Sequence, residues 1–166
     1  MKIYRAHSYH SIGIIREEEK KLPANIILTI QPYRLIILPQ STPFYFTGIK
    51  AWSSRAEEKG LSGWCHYPKN TKLPHIFIME GWEKWAFIHE VGHAVDERLG
   101  FPSEKFFRPE LALTDYGATN CHEYFAEAFM QFFDPAEKEE LFKADKNIFY
   151  FIRKITKGAR YNGRWK

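Results

Sequence analysis

The sequence predicts one α+β domain spanning residues 1–166, with a basic tail at residues 158–166. A chain of 166 residues is long enough to bury a hydrophobic core without disulfide bonds. Strand-like apolar runs are concentrated in the first half of the chain and amphipathic helical patterns in the second, which is typical of α+β folds. The two cysteines, Cys65 and Cys121, are too few for a disulfide framework, and we expect reduced thiols.

The first half of the chain predicts two short helices and then several short strands. Residues 12–21 are expected to form a helix that ends before Pro23. Residues 23–30 fit either a helix or a strand, and the proline at the first position favours a short helix. Strands are expected where apolar runs are bounded by proline, glycine or turn residues, at residues 34–38, 43–49, 64–67 and 75–79.

After Gly81 the patterns are mostly helical. Asn120 is a suitable N-cap for a helix that ends near residue 133, with Glu123 at the third position as in a capping box. Further helices are expected at residues 85–99, 103–109, 135–145 and 147–157.

The predicted helix at residues 85–99 contains His89, Glu90 and His93 in the order H-E-x-x-H. Positions four apart differ by about 40° around a helix axis, so the two histidines share one face and can bind one Zn²⁺ at about 2.0–2.1 Å each. Glu90 lies about 100° from His89, where it can take a proton from a water molecule on the metal. The opposite face is apolar and would bury the helix: Phe87, Ile88, Val91, Val95 and Leu99.

Catalytic zinc has three protein ligands and an open position, and a later helix offers two candidates for the third ligand. Glu123 and Glu127 lie one turn apart on the helix that Asn120 caps. Taken alone, they also fit an ordinary solvated helix face. With a metal on the two histidines, Glu123 fits the third ligand position, and Glu127 fits a carboxylate that accepts a hydrogen bond from a ligand histidine.

Two segments, HEVGHAVD at residues 89–96 and TDYGATNCHEYFAEAF at residues 114–129, resemble the anthrax lethal factor-like family of zinc metallopeptidases, which includes the Pro-Pro endopeptidases. They match the family patterns H-E-x-x-H-A-[VI]-D and Y-x6-E-[FY]-F-A-E. The resemblance implies a compact zincin-like fold, in which the edge strand of a small mixed sheet lies over the metal helix and the C-terminal half is helical. It covers residues 85–133, whereas residues 1–50 match nothing familiar.

The resemblance also assigns roles to residues. It makes three residues the ligands of Zn²⁺: His89, His93 and Glu123. It makes Glu90 the general base and Tyr116 the hydroxyl that faces the substrate carbonyl. The predicted function is therefore a monomeric zinc-dependent endopeptidase that binds a peptide or protein substrate extended along a sheet edge, which we expect at residues 75–79. Its substrate stays open, as does its role as a toxin, a processing enzyme or a phage- or host-internal protease.

Other polar residues near these motifs are interpreted differently. Asp96 matches the family pattern, but three positions after His93 it can hardly reach the same metal, so we expect it to support the ligands or to lie on the helix surface. His122 points about 100° away from Glu123 and is expected to be an ordinary surface histidine. Cys121 lies near a helix N-terminus, yet the reaction needs no thiol nucleophile.

The net charge of +4 is located at one end of the chain. Six of the 24 basic residues and none of the 20 acidic ones lie within residues 153–166, so the remainder is slightly acidic. With Tyr161 and Trp165 among the basic residues, this tail could bind nucleic acid, although a solvated end is the preferred interpretation. A second alternative is a zinc-binding interaction module without catalysis, which the presence of Glu90 and Tyr116 disfavours.

The sequence shows no sign of a membrane span or a secretion signal. No stretch approaches 18 consecutive apolar residues. The N-terminal residues lack the apolar run and the small-residue cleavage site of a Sec signal. We therefore expect a cytoplasmic protein, a protein exported by a non-Sec route, or one whose signal has been removed.

Overall fold

Strands and helices are both present in the part of the chain that the computed structural model describes, which comprises residues 2–5, 9–39, 62–68 and 73–158. The strands are β1 (Lys2–Arg5), β2 (Arg34–Leu38), β3 (Gly63–His66) and β4 (His75–Met79). The helices are α1 (Tyr9–Lys21), α2 (Ala24–Ile30), α3 (Glu83–Leu99), α4 (Ser103–Phe106), α5 (Cys121–Phe133), α6 (Lys138–Ala144) and α7 (Lys146–Thr156). The prediction of an α+β fold is confirmed for these residues.

The four strands form a mixed sheet with the order β1-β2-β4-β3. β2 pairs in parallel with β1 and β4, whereas β3 runs antiparallel to β4. Ile76 of β4 lies beside Leu35 on one side and beside Cys65 on the other. The prediction that His75–Met79 forms a sheet edge is therefore wrong. Its continuous apolar sequence is typical of an interior strand, and among the described strands β3 lies at the end of the sheet instead.

α3 is the central helix, and it contacts β3, β4, α1, α2 and α5. Most of its residues are buried, as its apolar stripe predicts. It ends at Gly100, whose positive φ of 78° forms a left-handed C-cap, and the backbone N–H of Phe101 donates to the carbonyl oxygen of Asp96 at 2.8 Å. Because this helix touches the sheet and α5 at once, it fixes the position of both relative to its histidines.

The second half of the chain follows the predicted helical pattern closely. Asn120 caps α5, as predicted, because its side chain accepts hydrogen bonds from the backbone N–H groups of His122 and Glu123. Asp145 caps α7 in the same way and also accepts a hydrogen bond from the hydroxyl of Tyr124 at 2.6 Å. α6 begins three residues later than predicted, because residues 135–137 form a turn.

The first half departs more from the predictions. The helix at α2 is confirmed, whereas β1 was not predicted, since a four-residue strand leaves little pattern in the sequence. The predicted strand at residues 43–49 lies outside the described residues, as does the basic tail from residue 159 onwards. Within the described residues, no helix combines the length and apolar character that crossing a bilayer requires.

Gly92 allows α5 to approach α3 closely. A Cβ atom at Gly92 would lie 2.9 Å from Cα of Ala126 and 3.2 Å from Cβ of Phe129. Ordinary carbon contacts are about 3.5–4.0 Å, and the nearer atom is backbone, so a side chain here would push α5 away. Because His89 and Glu123 each lie one turn from this contact, the same displacement would separate their side chains.

We expect Gly92→Ala to destabilise the protein by about 1–3 kcal/mol, as overpacking does, and to weaken metal binding as well. Gly13→Ala is the matched control, because no atom lies within 4 Å of a Cβ there and Gly13 is exposed in α1. The control should stabilise the protein by about 0.5–1 kcal/mol through helix propensity. Chemical denaturation of both variants measures the difference. Equal stability of the two variants would contradict the close contact.

Candidate metal centre

Three side chains converge at the junction of α3 and α5. The Nε2 atoms of His89 and His93 lie 3.1 Å apart. Oε2 of Glu123 lies 3.1 Å from Nε2 of His89 and 3.3 Å from Nε2 of His93. These three residues are the group within the described residues whose ligand atoms could hold one metal ion.

The size of this triangle can be compared with the geometry of zinc. Ligand atoms at about 2.0–2.1 Å from a tetrahedral Zn²⁺ are separated from one another by about 3.3 Å. The three separations in the structure, 3.1, 3.1 and 3.3 Å, are close to that value. Two imidazole nitrogens and one carboxylate oxygen are also a known donor set of catalytic zinc. The residues therefore fit a zinc ion in both spacing and chemistry.

The start of α5 directs Glu123 into this triangle. The N-cap bonds to Asn120 hold the first turn of the helix, and Glu123 is its third residue. In a capping box the carboxylate of Glu123 would return to the backbone of Asn120. Instead it contacts the two histidines. Of the two hydrogen bonds of the expected capping box, only the one accepted by the Asn120 side chain forms. The Asn120 cap thus holds the helix turn that carries Glu123, while the carboxylate of Glu123 contacts the histidines.

Glu127, one turn further along α5, contacts the other nitrogen of His89. Its Oε1 lies 3.1 Å from Nδ1 of His89. An Nδ1–H that donates to this carboxylate leaves Nε2 of the neutral ring with its lone pair directed at Glu123 and His93, as a metal ligand requires. Because the Glu127 side chain is mostly buried and hydrogen-bonded to Nδ1 of His89, it holds the imidazole ring in this orientation.

Thr114 supports Glu127 and was not singled out from the sequence. Its hydroxyl donates to Oε2 of Glu127 at 2.9 Å and accepts from the backbone N–H of Gly117 at 2.9 Å. These two bonds connect the turn that contains Tyr116 to the carboxylate of Glu127, which contacts Nδ1 of His89. The sequence signal was the T-x-x-G spacing, which is typical of a turn closed by a hydroxyl group.

Glu90 lies beside the triangle and is buried, with 4% of its surface exposed. It packs against the edge strand, since a Cβ atom at Gly63 would lie 3.2 Å from Cγ and Oε1 of Glu90. Burial raises the pKa of Glu90, while the charges of His93 and His89 oppose this rise. Its Oε2 atom has no hydrogen-bond partner among the described residues. A buried carboxylate oxygen is costly without a donor, and a water molecule in the centre would supply one.

Tyr116 faces the centre from the turn before α5. Its ring centroid lies 5.9 Å from that of His89, and 45% of the residue is exposed. Burial of the hydroxyl raises the pKa of Tyr116, and the charge of Glu123 and a hydrogen bond with it raise this pKa further. The hydroxyl is therefore protonated at neutral pH and can act as a hydrogen-bond donor.

Asp96 and His122 contact each other through a hydrogen bond beside the three candidate ligands. Oδ2 of Asp96 lies 3.0 Å from Nδ1 of His122, and both oxygens of Asp96 accept hydrogen bonds from Ser103. Asp96 is 1% exposed, so the expectation of a helix-surface position is wrong. His122 is partly exposed but anchored to a buried carboxylate, which differs from the ordinary surface histidine that the sequence suggested.

The centre lies in a cleft with two halves. One half, of about 330 Å³, extends past His93 toward Phe101 and His122. The other, of about 260 Å³, extends past His89 toward Trp82 and Trp85. Both halves share three lining residues: Gly63, Glu90 and Tyr116. Strand β3 therefore forms one wall of a single cleft that crosses the centre.

A cysteine of β3 also lines this cleft. Cys65 contributes to the half near His93, and burial raises the pKa of its thiol well above the ordinary value. The negative charges of Glu90 and Glu97 raise this pKa further. The backbone of Cys65 forms a hydrogen bond with Glu90, which opposes the rise in the pKa of that carboxyl group. The backbone of β3 thus contacts Glu90 at Cys65.

Comparison with known proteins supports a distant relationship over part of the chain. The chain is 42% identical to lethal factor of Bacillus anthracis in a match that covers 40% of this chain and 10% of lethal factor. No protein-family model matches the chain. The match thus covers a small fraction of lethal factor. It supports a distant relationship to that protein and does not establish a shared family.

The hydrogen bonds around His89 set its protonation without a metal. Burial lowers the pKa of His89, but hydrogen bonds to Glu123 and Glu127 outweigh this effect and raise the pKa to about 10. The histidine bonds outweigh burial at Glu123 too, and they hold the pKa of its carboxyl group far below the ordinary value. In the metal-free protein, a protonated His89 therefore lies between two carboxylates.

Zinc should consequently bind more tightly as the pH rises from about 6 to 8. A histidine whose pKa lies above this range carries a proton that the metal must displace from Nε2. Displacement of one proton raises the apparent affinity about tenfold per pH unit. Competition with a chelator, corrected for the chelator's own protonation, measures this slope. An affinity independent of pH would show that His89 is neutral in the metal-free protein.

Glu123 and Glu127 should differ in their effect on zinc affinity. Glu123→Ala removes one of three ligand atoms, so zinc should be lost to weak chelators. Glu127→Ala removes only the partner of His89 Nδ1, and a loss of about 10–100-fold in affinity is expected. Titration of both variants with a graded series of chelators measures the two losses. The assignment is reversed if the Glu127 variant loses zinc more readily.

Proposed function

We propose that the protein is a zinc-dependent endopeptidase. The observation that carries this proposal is the convergence of His89, His93 and Glu123 at zinc-like spacing, with the buried carboxylate of Glu90 beside them. The resemblance of the surrounding segments to the lethal factor-like zinc peptidases points in the same direction. Three protein ligands leave one position for water and substrate, which distinguishes a catalytic zinc site from a structural one.

The topology supports a zincin-like arrangement. The order of elements leads from a mixed sheet with an antiparallel end strand into the helix that carries H-E-x-x-H, and then to the helix that carries the glutamate. In this arrangement the sheet and both helices each supply one side of the cleft. The three candidate ligands, Glu90 and the edge of β3 thus line one groove, which supports the proposal of a peptidase.

Glu90 is the group that we propose to move the proton. A bound zinc ion would polarise the scissile carbonyl and acidify the attacking water. Glu90 would accept a proton from that water and donate it to the leaving amine. Burial raises the pKa of Glu90, which brings its proton affinity closer to that of a water acidified in this way. Its partnerless Oε2 supports this role, because the atom needs a proton donor in the cleft.

Tyr116 is the group that we propose to stabilise the negative charge on the carbonyl oxygen. Its hydroxyl lies near Glu123, and its raised pKa keeps it a donor at neutral pH. A donor aimed at the developing oxyanion contributes most in the transition state, where the charge is greatest. The bonds of Thr114 to Glu127 and Gly117 would hold the turn that presents this donor.

The substrate would bind along β3, not along β4. β4 is paired on both sides, whereas β3 has a neighbour on one side among the described strands. An extended peptide could add to β3 through main-chain hydrogen bonds and so pass over the centre. Antiparallel pairing is the slightly more stable arrangement, and it would place the C-terminal part of the peptide near Trp82 and Trp85.

Incubation of the zinc-loaded protein with a randomised peptide library, followed by mass spectrometry, tests the function. The wild type should cleave a subset of peptides and stop when a chelator is added. Glu90→Ala should keep zinc and the fold but lose several orders of magnitude in kcat, because the ligands remain while the base is absent. Tyr116→Phe should keep zinc and lose about 10²–10³-fold in kcat, as is typical of one oxyanion donor.

Elemental analysis of each variant is the control, because it separates loss of metal from loss of chemistry. A wild type that binds one zinc ion but cleaves no peptide would reject the endopeptidase and leave a zinc-binding module. A Tyr116→Phe variant with full activity would reject only the role of the hydroxyl group.

A further inference from the structure

The half of the cleft beyond His93 contains a histidine that the proposed chemistry does not use. His122 precedes Glu123 on α5 and lines this half together with Phe101. Its ring meets that of Phe101 at a centroid distance of 5.2 Å, edge to face. The side chain of His122 is 44% exposed, so part of the ring is open to the cleft.

A buried carboxylate anchors the inner edge of this ring. Oδ2 of Asp96 lies 3.0 Å from Nδ1 of His122, and the Asp96 side chain is 2% exposed. The hydroxyl of Ser103 donates to the same Oδ2 atom at 2.7 Å and lies 3.3 Å from Nδ1 of His122. Three elements, α3, α4 and α5, therefore meet at Asp96.

These contacts determine which ring nitrogen carries the proton. Asp96 can only accept a hydrogen bond, and the single hydroxyl hydrogen of Ser103 is already donated to Asp96. Both neighbours are therefore acceptors toward Nδ1 of His122, which must carry a hydrogen. In the neutral ring, Nε2 then has no hydrogen and is an acceptor on the opposite edge of the ring.

The same three residue types occur in serine hydrolases, but their arrangement here is different. Ser103 is fully buried, and its hydroxyl is directed at Asp96 rather than at a histidine nitrogen. A nucleophilic serine must reach the substrate and donate its hydrogen to the histidine. The arrangement orients His122 and does not activate Ser103.

We infer that His122 is a substrate-binding residue whose Nε2 accepts a hydrogen bond from an N–H or O–H group of the bound peptide. This inference rests on the proposed endopeptidase function. A peptide added to β3 has alternate main-chain groups that point away from the strand, and His122 lines the same half of the cleft as Trp64 and Cys65 of that strand. The donor is a main-chain N–H group or a polar side chain of the peptide.

Binding to a catalytically inactive background tests this role. Peptides that the wild type cleaves in the library are labelled with a fluorophore. The affinity of the zinc-loaded Glu90→Ala variant for these peptides is then measured by fluorescence anisotropy. Adding His122→Ala should weaken binding about 3- to 10-fold, as expected for one hydrogen bond, with an unchanged zinc content. Adding His122→Gln should restore part of the affinity, because its amide oxygen is also an acceptor. Adding His10→Ala, on α1 outside the cleft, should change nothing.

Asp96→Asn tests the tautomer. The backbone N–H of Ser103 donates to Oδ1, so the amide nitrogen of Asn would take the place of Oδ2 and face His122. That nitrogen donates, which would move the ring hydrogen to Nε2 and remove the acceptor. ¹⁵N NMR of the His122 imidazole should show that the ring hydrogen has moved from Nδ1 to Nε2. The peptide should bind as weakly as to the His122→Ala variant, with no further loss in the double variant.

The outcomes separate the possible sources of the donor. If a main-chain N–H group is the donor, N-methylation at one peptide position should remove the effect of His122→Ala. If a side chain is the donor, the library preference for polar residues at one position should disappear in the variant. If His122→Ala leaves the peptide affinity unchanged, the proposed role of His122 is overturned, while the proposed endopeptidase function is not affected. A wild type that cleaves no peptide overturns the endopeptidase and this inference with it.

Discussion

The close contact between α3 and α5 is the constraint on which the rest of the structure depends. A hydrogen atom at Gly92 in place of a side chain brings the two helix backbones together, and the candidate ligands lie one turn away on each helix. Both helices also bury their apolar faces in the same core, through residues such as Val91 and Phe125. The free energy of burying these faces therefore also holds three polar groups within about 3 Å of one another, which they would not maintain alone.

Such a group of buried polar atoms is costly in isolation. His89 and Glu90 are almost fully buried, and Glu90 has an oxygen atom without a partner in the described residues. A core built only for stability would place apolar side chains at these positions. The surrounding hydrogen bonds, which the Nδ1–H group of His89 and the hydroxyl of Thr114 each donate to Glu127, fix side-chain directions rather than fill space. The region is organised to hold a few atoms in defined positions, at some expense to the stability of the fold.

The sequence predicted the features that depend on local spacing and missed those that depend on tertiary pairing. The four-residue step from His89 to His93 determines a shared helix face wherever the helix lies. The sheet order could not be deduced in this way, because an apolar run like His75–Met79 fits an edge or an interior strand equally well. The bond between Asp96 and His122 joins residues 26 positions apart, and nothing in either local sequence indicates it. Thr114 is similar, since its partner Glu127 lies 13 residues away.

Cys65, which lines the cleft, affects which reagents and metal ions could react beside the candidate centre. A cysteine that lines the same cleft as a candidate metal centre would, as a thiolate, compete for soft cations and react with alkylating or oxidising agents. Burial and the nearby carboxylates raise the pKa of Cys65, so the thiol stays protonated at neutral pH. A protonated thiol is a poor nucleophile and a poor ligand. The wall of the cleft can therefore include a cysteine, while the candidate ligands remain nitrogen and oxygen atoms, a donor set that would favour zinc over softer ions such as copper(I) or cadmium.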